Sequence, residues 1–225
     1  MEMEEQSLRK TAWLFCAILI FALPATADIL YSNLGPSGNV YNCCTGWTVT
    51  GTGSIGTSFI AANEFQVAAS GAVNSIDIAV GYVEGANAFY VGIYADNGGI
   101  PGTQLGYWGN LSSNTNFGSC CGLVTISGIS GLNLSTGVNY WMVVGPMTTG
   151  SDTWEAWNFS NSALGNDDYS TDGGKSWVQQ GQQPLGAFDI VGGSTTGSTP
   201  EPSSLLLFGA GVVATFGAIR RKMNL

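Results

Sequence analysis

The sequence predicts an all-β fold, an antiparallel β-sandwich of jelly-roll-like form, between two apolar ends. Three observations carry that prediction. Apolar residues recur with a period of two: Ile76, Ile78, Val80 and Tyr82 alternate with Ser75, Asp77, Ala79 and Gly81, as on a half-buried strand. Phe89, Val91 and Ile93 alternate in the same way with Tyr90, Gly92 and Tyr94. Gly-, Asn- and Pro-rich breaks divide the chain about every 8 to 12 residues, the spacing of turns in all-β domains. No stretch of helical length after Asp28 carries an apolar stripe of helical period.

The elements follow in chain order. Arg9 and Lys10 precede an apolar run from Thr11 to Leu23, and Pro24-Ala25-Thr26-Ala27 supplies an A-x-A cleavage site. This is the order of a secretory signal peptide. Residues 1–27 therefore read as a signal for the Sec machinery, cut between Ala27 and Asp28. Strands are expected at Ile29–Asn33, Ser58–Ala61, Ser75–Tyr82, Phe89–Tyr94, Gln104–Leu111, Leu123–Ser127, Val138–Met147, Trp154–Phe159, Ser176–Gln179 and Ala187–Val191. The Val138–Met147 run is apolar nearly throughout, as a strand covered on both faces would be. The ectodomain thus spans 28–191, and Gly192 to Thr199 reads as a flexible linker.

After the linker come Pro200-Glu201-Pro202, an apolar run from Ser203 to Ile219, and Arg220-Arg221-Lys222. A helix over 203–219 would be about 26 Å long at roughly 1.5 Å per residue. That nearly matches a hydrocarbon core of about 30 Å. The three cations hold the tail end on the cytoplasmic side, so residues 200–225 read as a breaker, a transmembrane helix and a positive stop.

Composition narrows the function. Between Asp28 and Thr199 there are 11 acidic residues and one basic residue, Lys175, for a charge of −10. Such a surface lacks the basic patch that a phosphate backbone requires, which excludes nucleic acid as a partner. With no His in the chain, no Ser-His-Asp or Cys-His arrangement can form. Four cysteines follow the signal as two adjacent pairs, Cys43-Cys44 and Cys120-Cys121. In an oxidising exterior they should be bridged. Three connectivities are possible, and strain within a pair favours two links between the pairs. One such link closes a loop of about 77 residues, worth on the order of 4 kcal/mol in the chain-entropy model. The lack of His and of C-x-x-C spacing speaks against a metal site.

The tail of Pro-Glu-Pro, apolar span and terminal cations resembles the PEP-CTERM sorting signal of Gram-negative surface proteins. The resemblance implies recognition by an exosortase and a membrane-held tail before processing. Ile93-Tyr94-Ala95-Asp96-Asn97-Gly98-Gly99-Ile100-Pro101-Gly102 followed by Leu105 resembles a segment of PEP-CTERM-associated choice-of-anchor ectodomains. That likeness extends over roughly residues 55–191 and implies a jelly-roll-like sandwich outside the cell. Ser170-Thr171-Asp172-Gly173-Gly174-Lys175-Ser176-Trp177 fits the Asp-box pattern. In proteins with that motif the Asp ties a β-hairpin and the Trp packs beneath it.

Candidate sites remain few. Asp96 and Asn97 could ligate calcium, a hard ion that takes oxygen ligands, although a plain tight loop explains them as well. Asp152/Glu155 and Asp167/Asp168 are the carboxylates a glycosidase could pair. Tyr107, Trp108, Trp154 and Trp157 could stack on sugar rings, but Trp154 and Trp157, three apart on one strand, must face opposite ways. The reading is a non-enzymatic exported protein without a cofactor; the PEP-CTERM resemblance implies a structural or adhesive role in the exopolysaccharide or biofilm matrix. A carbohydrate-binding module is the alternative.

Overall fold

The computed structural model describes residues 28–35 and 40–194. The signal peptide with Ala27, linker residues 195–199, Pro200, Glu201, Pro202, the span 203–219 and Arg220, Arg221 and Lys222 lie outside the described residues. Among the described residues no helix is long and apolar enough to cross a membrane.

The chain forms fourteen strands: β1 (Asp28–Ser32), β2 (Asn42–Thr50), β3 (Ile60–Phe65), β4 (Gly71–Ile78), β5 (Val80–Glu84), β6 (Phe89–Asp96), β7 (Pro101–Leu111), β8 (Thr115–Asn116), β9 (Val124–Ser127), β10 (Asn133–Leu134), β11 (Tyr140–Pro146), β12 (Trp154–Ser170), β13 (Val178–Gly186) and β14 (Phe188–Ser194). One helical turn, Thr52–Ile55, interrupts them. The smaller sheet runs β1-β14-β4-β10, with β9 also on β4. The larger runs β7-β6-β11-β3-β12-β5-β8, with β13 and β2 also on β12. Pairing is antiparallel except where β8 lies parallel to β5 over two residues, Thr115 and Asn116.

A shared core closes the two sheets on each other. Ile76, Ile78, Phe188 and Ile190 of the smaller sheet meet Ala61, Phe65, Val91, Ile93, Met142 and Val144 of the larger. Every residue of β11 is buried, as its unbroken apolar run requires. Tyr140, Met142 and Val144 enter the inter-sheet core, while Trp141 and Val143 enter a second cluster on the far side of the sheet.

The alternation over Ser75–Tyr82 predicts one strand, yet the chain changes sheets within it. β4 belongs to the smaller sheet and β5 to the larger. The crossing is Ala79, whose N–H donates to the Ala187 carbonyl at 3.0 Å and whose carbonyl accepts from Asn158 N at 2.8 Å. Ala187 is the matching crossing between β13 and β14, and its N–H donates to the Asn158 carbonyl at 2.8 Å. Both alanines are fully buried. Next to them Gly186 lies under the Trp157 indole, where a Cβ would come within 2.2 Å of the ring, so only glycine fits.

Three further differences separate expectation and structure. β2 and the second half of β12 are strands where loops were expected, and β14 continues through Gly192 to Ser194, into the expected linker. In β12 the strand is held by pairing and polar contacts in place of apolar alternation: Asp167 faces Asn63 across the ladder to β3. β14 is continued by its ladder to β4, in which Ser194 pairs with Gly71.

Candidate functional site

The outer face of the larger sheet carries the candidate site. Residues opposite one another in a ladder share a face. Tyr94 stands opposite Trp141, which stands opposite Glu64. In the adjoining row Tyr107 faces Gly92, Gly92 faces Val143, Val143 faces Ala62, and Ala62 faces Asp168. Ile60, Ala62, Trp141 and Val143 form the buried floor, with Tyr90, Tyr94 and Trp177 packed against it.

Glycines seat the rings on this face. A Cβ at Gly145 would come within 2.6 Å of the Tyr90 ring, and one at Gly92 within 2.7 Å of Tyr94. The missing side chains let both phenols lie close to the backbone. Tyr107 stacks on Tyr90 with ring centroids 5.1 Å apart and planes 28° apart, and it is 43% exposed. Burial raises the phenol pKa of both Tyr90 and Tyr94, so both hydroxyls stay protonated and can donate. The Tyr94 hydroxyl donates to Gln104 Oε1 at 3.1 Å.

Carboxylates line the side of this face toward β12. Glu64 accepts from Asn166 Nδ2 at 2.6 Å and from Asn139 Nδ2. Asp168 is buried, and one of its oxygens has no hydrogen-bond partner. Burial first, then the nearby charges of Glu64 and Asp96, push its pKa up to about 7. Asp167, its neighbour, points to the opposite face of the sheet, as strand alternation demands. It accepts from Asn63 Nδ2 at 2.6 Å, and Asn63 Oδ1 in turn accepts from Gly186 N at 2.6 Å. Burial raises Asp167 to about 8. The pair Asp167/Asp168 therefore cannot flank one substrate bond. Asp152 accepts from Ala86 N, and buried Glu155 accepts from Ser113 Oγ at 2.7 Å.

The Asp-box closes one side of the face. Asp172 Oδ1 accepts from Lys175 N and Ser176 N at 3.0 Å each, and Oδ2 accepts from Ser176 Oγ at 2.6 Å. These donors, the Ser176 hydroxyl foremost, hold the Asp172 pKa well below the usual carboxylate range. The turn so fixed leaves Trp177 lying on the Trp141 cluster. Asp96 serves a similar turn. Its carboxylate accepts from Gly98 N, Gly99 N and Trp141 Nε1 at 3.2, 3.0 and 2.9 Å. The calcium candidate Asp96 is thus committed to loop and indole, and Asn97 beside it is exposed.

Of the four sugar-stacking candidates, only Tyr107 is exposed. Trp108 points inward against the core, Trp157 is fully buried within it, and Trp154 is half-buried at the start of β12. Tyr90, Tyr94 and Trp177, which join Tyr107, were not among the candidates. Their signal was present: Tyr90 and Tyr94 hold the outward positions of the Phe89–Tyr94 alternation, with Gly92 between them.

The cysteines depart from the expected pair of bridges. Cys43 and Cys120 form a disulfide with Cα atoms 5.5 Å apart, whereas Cys44 is an exposed free thiol and Cys121 a half-buried one. Cys43 and Cys44 are consecutive on β2, so their side chains diverge to opposite faces. Only Cys43 turns toward the second pair.

Residues 198–222 match the PEP-CTERM protein-sorting motif. The match contains Pro200-Glu201-Pro202 and Arg220-Arg221-Lys222. It indicates an exported protein sorted by an exosortase, its C-terminal tail anchored in the membrane before processing. No curated protein and no solved structure matches the chain.

Proposed function

We propose that the exported domain is a non-enzymatic, adhesive component of the exopolysaccharide or biofilm matrix, and that it grips polysaccharide through Tyr107, Tyr90 and Tyr94. The observation that carries this reading is the exposed Tyr107 ring, backed by Tyr90 and Tyr94 lying against Gly145 and Gly92. A rigid phenol with two rotatable bonds loses little entropy on binding and offers both a flat apolar face and a polar tip. Sugar rings, which pair an apolar C–H face with hydroxyls, suit that surface. Exposed Gln104 stands beside it to hydrogen-bond those hydroxyls. The choice-of-anchor likeness, with the jelly-roll-like sandwich it implies, belongs to the same reading. No cofactor enters it, and no catalytic role is assigned to the pair Asp167/Asp168, whose side chains face opposite sides of the sheet.

The test is affinity electrophoresis of the exported domain in gels cast with the host's exopolysaccharide or with neutral glycans. Retardation that is lost in Tyr107→Ala supports the reading. Wild-type mobility unchanged in every gel overturns it, leaving a passive matrix protein.

A further inference from the structure

We propose that Cys43, Cys120 and Cys121 form a thiol–disulfide exchange centre, in which Cys121 displaces Cys120 from Cys43 and makes Cys120 the domain's modification site. The three sulfurs lie within 4.8 Å of one another, so the free Cys121 thiol already stands beside both atoms of the bridge. No other thiol among the described residues is placed this way, since Cys44 is not part of the group.

The step balances without an oxidant. Cys121 gives its proton to solvent, and its thiolate attacks Cys43 Sγ. A Cys43–Cys121 bond forms as the Cys43–Cys120 bond breaks. The electron pair leaves on Cys120, which then takes up a proton. One disulfide and one thiol stand on each side of the exchange.

Two features of the chain shape the equilibrium. Loop closure hardly distinguishes the bridges, because the present one spans a separation of 77 and the alternative is one residue longer. Stabilisation of this kind varies only with the logarithm of loop length. Local packing must decide instead. Cys43 and Cys121 already sit against the same apolar group of Leu34, Tyr41, Ala79 and Ala187, while Cys120 is exposed. Exchange moves the bond between the two packed sulfurs and leaves the exposed one as a thiol. Cys120 would then join Cys44 as a second outward thiol, open to electrophiles or to an external disulfide.

The experiment uses the folded exported protein with its disulfide intact, held at about pH 8.5, near the ordinary thiol pKa. Samples are quenched over time with acid, labelled with N-ethylmaleimide and digested without reduction. The expected result is a Cys43–Cys121 peptide that accumulates together with label on Cys120. Cys121→Ser should abolish both, keeping Cys43–Cys120 alone, and Cys120→Ser, oxidised with glutathione disulfide, should form Cys43–Cys121. Should Cys120→Ser fail to fold, the wild-type time course still decides. A wild type that keeps only Cys43–Cys120, with label confined to Cys44 and Cys121, overturns the proposal. So does a Cys44–Cys121 bridge, which would leave no attacking thiol.

Discussion

The two faces of the larger sheet are both packed, but by different means. The inner face is closed by another sheet, whose Ile76, Ile78, Phe188 and Ile190 meet Val91, Ile93, Met142 and Val144. Among the described residues the outer face has no second sheet. A floor of Ile60, Ala62, Trp141 and Val143 is covered by Trp177 from the Asp-box and by tyrosine rings seated on glycines. A sheet locks its partner through many ladders at once. A hairpin and three rings can cover a floor yet leave their own outer surfaces open. Stability is thereby concentrated on one face, and surface available to a ligand on the other.

The largest expected effect breaks the inner face. Phe188 is fully buried and stacks or packs against Tyr31, Phe65 and Trp157. Phe188→Ala should cost about 3–5 kcal/mol, the range for large aromatic deletions in cores, read as a lower urea midpoint at unchanged slope. An unchanged midpoint would mean that the inter-sheet core is not where stability resides.

The next effect sharpens the contrast through protons. Asp167, Asp168 and Glu155 have folded pKa values raised, chiefly by burial, to about 8, 7 and 7. Each holds its proton more tightly folded than unfolded. Their contribution to stability is fully present below an unfolded carboxyl pKa of about 4 and is lost as pH rises through 7 to 8. Urea midpoints should therefore fall between about pH 5 and pH 9. Asp167→Asn should flatten that fall, and a midpoint that rises over the window would contradict the argument. Asp172, whose pKa is lowered, acts with the opposite sign and only in stronger acid, outside this window.

Smaller effects belong to the outer face. Trp177→Ala removes a half-buried cover and should cost about 2 kcal/mol, below the range for a full core aromatic. Its clearest sign would be faster amide exchange in β11 near Trp141. Tyr107→Ala should change stability by about 1 kcal/mol or less, the worth of one stacked aromatic pair, while abolishing retention by polysaccharide. If Tyr107→Ala proves as destabilising as Trp177→Ala, the ring is structural cover and the division between the faces fails.

Much of this arrangement was legible in the residues. Period-two runs marked β4, β5 and β6, and the unbroken apolar stretch of β11 announced its double burial. The sheet change at Ala79 was hidden because the alternation Ile76, Ile78, Val80 continues through it. All three point into the same core from different sheets. β2 escaped because only Val49 and Thr50 at its end are buried. The second half of β12 escaped because Asn166, Asp167 and Asp168 look like a loop, and only their pairing to β3 and β13 makes them a strand. Of the four residues read as sugar-stacking candidates, Tyr107 alone is exposed. Tyr107 and Trp108 are neighbours on a strand, so one had to face inward, and composition could not say which. The second disulfide failed on the same alternation at Cys43 and Cys44.

The pairing of the first and last strands bears on how the domain carries load. Asp28 lies opposite Gly192 on antiparallel β1 and β14, so the chain enters and leaves at one end of the domain. β14 lies between β1 and β4, and the sorting motif at residues 198–222 follows it in the sequence. Tension on that tail draws β14 along its own length, across hydrogen bonds that run perpendicular to it on both sides. The rungs of two ladders then resist together in shear, where a strand peeled from an edge would surrender them one at a time.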